Sequence, residues 1–242
     1  MNQSPTSASA KPALLPVAIT QLVIAVFPAL VFACFLSLPV HAADPATVTF
    51  AFDFSNSTPE HYSITVENNG HAHYESVGKI SDDSDDRETY QTDFEFSDAT
   101  RVRVFDLAAH ARYFSGKIDS GNKKLALTGS KKLSYHDAQR NLSAEYNFSP
   151  LPAVQQLTTL FQSLSATLEY GRRLAYFLRF QKLALDDELK HMEDQARSGE
   201  IIELQTVKPI LQQIYDDETV MNIDRARALR IIDMIPSPTT GK

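Results

Sequence analysis

An α+β fold is predicted for this chain of 242 residues. It has an antiparallel β-sheet with one packed helix, in the order ββββα and then two or three β strands, followed by an all-helical C-terminal region. Three observations predict it. Between residues 46 and 149, apolar and polar residues alternate over short stretches, the period of a half-buried strand. Turn clusters short enough for hairpins separate these stretches, so neighbouring strands run antiparallel. From Pro150 and Pro152 onward the apolar spacing changes to threes and fours, the period of an amphipathic helix.

The first strand reads Val48, Phe50, Phe52 and Phe54 on one face, against Thr49, Ala51 and Asp53. After a turn cluster at 55–59, Tyr62, Ile64 and Val66 alternate with Ser63, Thr65 and Glu67. Asn68-Asn69-Gly70 then reverses the chain into His71–Val77. A two-residue loop would set Val66 opposite His73 and Ile64 opposite Glu75. A three-residue loop with Gly70 left-handed sets Val66 opposite Ala72 and Ile64 opposite Tyr74. The second register keeps one face apolar and is the one expected, because a one-residue slip exchanges the faces of a strand. After an acidic loop at 81–87, Tyr90, Thr92, Phe94 and Phe96 form the fourth strand.

Ser97 or Asp98 caps the packed helix, which carries Val104, Leu107, Ala108, Ala111 and Phe114 inward and stops at Ser115-Gly116. The remaining strands are expected around Leu125 and Leu127, around Leu133 and Tyr135, and over Leu142, Ala144, Tyr146 and Phe148. In the helical region Pro152 suits a first turn. Leu157, Leu160, Phe161, Leu164 and Leu168 form a stripe, and Gly171 is a point of breakage or bending. Leu174, Phe177, Leu178, Leu185, Leu189 and Met192 lead to a stop at Ser198-Gly199. Short helices are expected over Ile201–Val207 and Ile210–Tyr215, then a last one from Thr219 to Met234. The spacing fits a helical hairpin or bundle over 150–235 rather than a coiled coil. An exposed Leu174–Met192 stripe would favour a dimer. Residues 236–242 read as a disordered tail.

Residues 1–42 have the form of a signal peptide, with cleavage predicted after Ala42. Pro12–Ala43 carries no charge, Lys11 precedes it, Leu22–Leu36 is the apolar core, and Val40 and Ala42 stand at the small-residue cleavage positions. The alternative is a membrane anchor over 13–40, long enough to span but interrupted by Pro16, Pro28 and Pro39. A third reading attaches lipid to Cys34, the single cysteine. Cleavage removes Cys34, and with it disulfide, thiolate and cysteinyl-metal chemistry. The net charge is −7, and one unit more negative without Lys11. That balance argues against nucleic-acid binding, which needs a basic face to displace counterions. The lack of Trp weakens an aromatic carbohydrate platform.

The sharpest candidate for chemistry is His71-x-His73. Alternate strand residues share a face, so both imidazoles can approach one surface metal, with Glu67 or Glu75 nearby. In the expected register His71 lies opposite Glu67 and His73 opposite Thr65, which supplies no buried third ligand. The acidic loop departs from a calcium-binding loop, because Arg87 and Glu88 fall where a ligand and a glycine belong. His136-Asp137 near Ser134 is not a triad, since adjacent strand residues face opposite ways, and no G-x-S-x-G elbow occurs. Arg172-Arg173 with Tyr170 and Tyr176 reads as helix-surface charge or as a partner patch. Asn56, Asn141 and Asn147 open glycosylation sequons.

Two stretches carry a resemblance. One is Phe50-x-Phe52 with Pro59-x-His61-Tyr62-x-Ile64-x-Val66 and Gly70-x-x-x-Tyr74. The other runs from Glu200-Ile201-Ile202-Glu203-Leu204-Gln205 through Pro209-Ile210-Leu211 to Arg225-Ala226-Arg227. They resemble a group of uncharacterised exported bacterial proteins of the acidobacterial type. The resemblance implies export and a strand-then-helix layout and assigns no catalytic residue.

The expected function is therefore a non-catalytic binding or assembly role in the cell envelope. The partner would be a protein or another envelope component, reached by export to the periplasm or the exterior. No cofactor is expected. The alternatives are a carboxylate-based hydrolase, whose acid pair sequence spacing does not nominate, and a surface metal binder through His71 and His73.

Overall fold

Alternation at period two builds one six-stranded antiparallel sheet of order β4-β3-β2-β1-β5-β6. The strands are β1 (Thr47–Asp53), β2 (His61–Glu67), β3 (His71–Gly78), β4 (Glu88–Glu95), β5 (Ser130–His136) and β6 (Asn141–Tyr146). This is a computed structural model that describes residues 45–55, 57–80 and 86–236. The expected leader and cleavage site, the alternative anchor over 13–40, Cys34, most of the acidic loop and the tail beyond Pro236 lie outside the described residues. Among the described residues, no helix is long and apolar enough to cross a membrane.

The β2–β3 hairpin adopts the expected register, with Val66 opposite Ala72 and Ile64 opposite Tyr74. The apolar row continues across the sheet. Phe50 lies between Ile64 and Leu133, and Tyr74 faces Thr92 on β4. Only two strands follow the packed helix. The segment holding Leu125 and Leu127 is irregular, and both side chains are exposed. Two leucines two residues apart do not make a strand without a partner for their backbone groups, and Asn122, Gly129 and the Asx-type turns around them turn the chain instead.

The packed helix, α1, runs from Asp98 to His110, with the Ser97 Oγ accepting the Thr100 N–H as its cap. It ends before the expected Ser115-Gly116 stop. Arg112, Tyr113 and Phe114 take positive φ values of 52°, 54° and 66°, a left-handed turn that still delivers Phe114 into the core.

The first helix of the C-terminal region, α2, spans Pro152–Phe180 without interruption at Gly171. A Cβ on Gly171 would stand 2.6 Å from Val207 Cγ1. The glycine permits close approach of the 3₁₀ turn Leu204–Val207 and does not break the helix. The break falls at Gln181, followed by a 3₁₀ turn at Lys182–Ala184 and α3 (Leu185–Ser198). Asp186, Asp187 and Glu188 occupy the first turn of α3, where the helix dipole favours them. Gly199, in the left-handed conformation, ends α3 as expected. The expected helix over Ile201–Val207 shrinks to the 3₁₀ turn, because Glu203 is left-handed. Then follow α4 (Lys208–Asp216) and α5 (Asn222–Asp233).

Two hydrophobic clusters result. In the first, the inner sheet face meets α1 and the N-terminal half of α2, with Phe50 stacked on Phe161 at 5.3 Å. In the second, the C-terminal half of α2 meets α3, α4 and α5 through Leu174, Leu185, Leu189, Leu211 and Ile231. The stripe of Leu174, Phe177, Leu185, Leu189 and Met192 is thus buried within the chain, so the exposed stripe expected to favour a dimer is not present.

Candidate functional site: a polar cleft over a buried lysine

Residues 131, 133 and 135 of β5 all face the core side, as period two requires. Two of them are Leu133 and Tyr135. The third is Lys131, which is 6% exposed. It sits between Phe52 on β1 and Tyr146 on β6, and its ammonium lies 5.5 Å from the Phe52 ring centroid. Lys131 Nζ reaches four acceptors: the Thr128 carbonyl (3.3 Å), Thr128 Oγ1 (3.2 Å), the Gly129 carbonyl (3.3 Å) and the Asn147 carbonyl (3.1 Å). All are neutral, and none of the described carboxylates pairs with it. Burial pulls its pKa below the usual lysine value.

The loop that supplies these acceptors is fixed from two sides. Gly129 has φ +97°, and a Cβ there would stand 2.5 Å from Phe52 Cε2, so only glycine lets the loop cross the ring. The Asn147 amide ties the loop to the end of β6. Its Oδ1 accepts the Thr128 N–H at 3.1 Å, and its Nδ2 donates to the Ala126 carbonyl at 2.9 Å. Asn147 N donates to Asp119, whose carboxyl is held below its ordinary pKa first by the Gly121 N–H and then by this bond.

The opposite wall is the start of α2. Thr158 Oγ1 donates to the Val154 carbonyl (2.7 Å) and lies 2.6 Å from the Tyr146 hydroxyl, which burial pushes up to about 12. Gln155 Nε2 donates to the Ser149 carbonyl at 2.9 Å. Thr159 and Gln162 stand exposed on the same wall, and Phe148 stands at the rim, 46% exposed. The enclosed space is about 350 Å³, and none of its ten lining residues is acidic. A second cleft of about 370 Å³ lies between α1 and the other end of the sheet. Its cation, Arg101, is already paired with Asp98 at 3.0 Å. Neither cleft is lined by two carboxylates.

The residues singled out from sequence lie elsewhere. His71 and His73 occupy the outer sheet face, and each has its own partner on β4. His71 Nδ1 is 3.3 Å from Glu95, and His73 Nδ1 is 2.6 Å from Asp93. Glu67 accepts from Asn69 instead. The three are not brought to one point, and among the described residues no group of three or more His, Cys, Asp or Glu is placed to hold a metal ion. Arg172 is not surface charge. Its side chain is 4% exposed, 3.5 Å from Glu169 and 3.6 Å from Glu88. Glu169 in turn accepts from Tyr74 (2.8 Å) and Ser76 (2.6 Å). Burial, and then the Glu169 charge, raise the Tyr74 pKa strongly. Arg173 pairs with Glu188 at 2.6 Å, so neither arginine is left for a partner patch.

Three more acids are buried, of which Glu193 is paired with Arg230 at 2.6 Å. Glu203 accepts from Ser97 N (2.8 Å), Ser97 Oγ (2.7 Å), Thr100 Oγ1 and Gln205 Nε2, capping α1 from the helical region. Asp224, fully buried at the start of α5, has neither carboxylate oxygen hydrogen-bonded. Burial, then the nearby Asp186 charge, push it up to about 6.

The sequence reading singles out none of Lys131, Glu169, Glu203 and Asp224, and it places Arg172 at the surface rather than in the core. For Lys131 the signal was present: the Leu133–Tyr135 alternation extended back two residues lands on it. Glu169 and Arg172 likewise sit within the apolar run of α2, three residues apart. No family model matches this chain, and no curated protein matches it.

Proposed function

We propose that the protein is exported to the cell envelope and acts there as a non-catalytic binding protein, with its ligand held in the Lys131 cleft. The reading rests on one observation above the rest. A buried ammonium has only neutral acceptors around it, yet it lines an open cleft whose other walls are hydroxyls and amides. A buried charge without a counter-charge costs stability unless something else compensates it, and a small polar ligand is such a compensation. Ligand sites of this kind are concave, with a few convergent polar groups that set orientation. The uncharged Pro12–Ala43 segment with its Val40-His41-Ala42 end supports export, and N-terminal sequencing of the exported protein is expected to start at Ala43.

A library of small polar metabolites, screened by amide NMR with each compound followed by mass spectrometry, tests the binding role. Responders should shift the amides of Thr128, Asn147, Phe148 and Thr159 and be recovered unchanged. Turnover of a responder, or shifts confined to other surfaces, would overturn the reading.

A further inference from the structure

We infer that the ligand of the cleft is a sugar acid, a polyhydroxylated ring bearing one carboxylate that seats against Lys131. This rests on the binding role proposed above and adds the chemical class. The argument starts from charge. In a chain with 30 acidic residues against 23 basic ones, a cleft with ten lining residues, no acid and one lysine is an electrostatic exception. The lysine is the one cation in that lining and the group an anion would seek. Its three N–H groups are spread over four neutral acceptors at 3.1–3.3 Å, and the two at 3.3 Å, the Thr128 and Gly129 carbonyls, lie just beyond the usual range. A carboxylate oxygen can displace the weakest of these contacts and form a charge-assisted bond, roughly twice as strong as a neutral one.

The rest of the cleft specifies what carries the carboxylate. Thr128, Thr159 and Gln162 supply hydroxyl and amide groups on two walls, and each such group can both donate and accept, as a ring hydroxyl does. Tyr146 and Thr158 are already bonded to one another and fix β6 to the α2 wall. Phe148, at the rim, offers an apolar surface for the C–H face of a ring. A fatty acid would leave the amides unpaired, and a phosphate would leave Phe148 and the far wall unused. About 350 Å³ is at the small end of ligand sites and suits one ring rather than a length of polymer.

Calorimetric titration of the full chain with glucuronate, glucose, acetate and phosphate, with amide NMR to place the binding, tests this. Glucuronate is expected to bind at least ~10-fold tighter than glucose or acetate, shifting the Thr128, Phe148 and Thr159 amides. Lys131→Met should reduce glucuronate to the level of glucose, and Gln162→Ala, an exposed position, should weaken both sugars. Equal binding of glucose and glucuronate in the cleft would overturn the acid while leaving the binding role intact. Acetate or phosphate matching glucuronate would overturn the ring. The absence of any cleft shift with glucuronate would overturn the inference outright, and the metabolite screen would then decide the binding role separately.

Discussion

Arg172 and Lys131 are both buried cations under the same face of one sheet, at opposite sides of it, and they differ in company. Arg172, below β3 and β4, meets Glu169 and Glu88 and stands 5.6 Å from the Tyr90 ring centroid. Lys131, on β5 between β1 and β6, meets only carbonyls, a hydroxyl and an aromatic ring. The buried acids divide the same way. Glu203 is surrounded by donors, and Asp224 has none. A charge that the fold has fully answered serves the fold. A charge left without a counter-charge beside an open cleft is what the proposed binding role rests on.

Four measurements test that contrast. The largest effect is expected from Arg172→Met, which strands Glu169 in the core. Urea unfolding should show a loss of about 3–5 kcal/mol, and adding Glu169→Gln should recover a good part of it. Glu203→Ala removes the acceptor for Ser97 and Thr100 and should cost about 2–3 kcal/mol, read in the same assay. Asp224 tests the unanswered class. Its folded pKa of about 6 lies above its unfolded value of roughly 3.9, so the folded state binds the extra proton. Stability should therefore fall as pH rises from about 4 through 6 and stay lower above that. Asp224→Asn should flatten this slope and gain on the order of 2 kcal/mol at pH 7.5. The smallest effect is expected at Lys131. In the absence of ligand Lys131→Met should lie within about 1 kcal/mol of the unmodified chain, because the orphaned carbonyls are offset by the ammonium no longer buried. A loss there as large as at Arg172 would show that the two cations are alike and that Lys131 serves only the fold.

Much of the sheet was legible because its information is local. Val48–Phe54, Tyr62–Val66 and His71–Val77 alternate strictly, and the Val66–Ala72 register follows from keeping a single face apolar. The boundaries that failed are set by tertiary contacts. Gly171 reads as a breaker until Val207 is seen against it. Leu125 and Leu127 read as a strand until the Asn122 and Asn147 side chains are seen holding that loop. Ser115-Gly116 reads as a helix stop, but Arg112–Phe114 turns left-handed first to seat Tyr113 at 4.5 Å from Tyr135. The cleft was illegible for a further reason. Its lining comes from β5, β6 and the loops at their ends, and its far wall from α2, so no spacing within one segment announces it. His71-x-His73 was conspicuous because its residues are adjacent, and each of them has its own carboxylate across the strand.

α2 has one more consequence. Its 29 residues, about 44 Å of helix, begin at the cleft with Gln155 and Thr158, run under the sheet with Phe161, and end in the helical bundle with Leu174 and Phe177. One rigid rod is thus a wall of the cleft at one end and the spine of the bundle at the other. The two clusters share it, so a single melting transition is expected in calorimetry. If the cleft holds a ligand as proposed, its binding free energy adds to the stability of whatever unfolds with α2, and the melting temperature of the helical bundle should rise with ligand concentration.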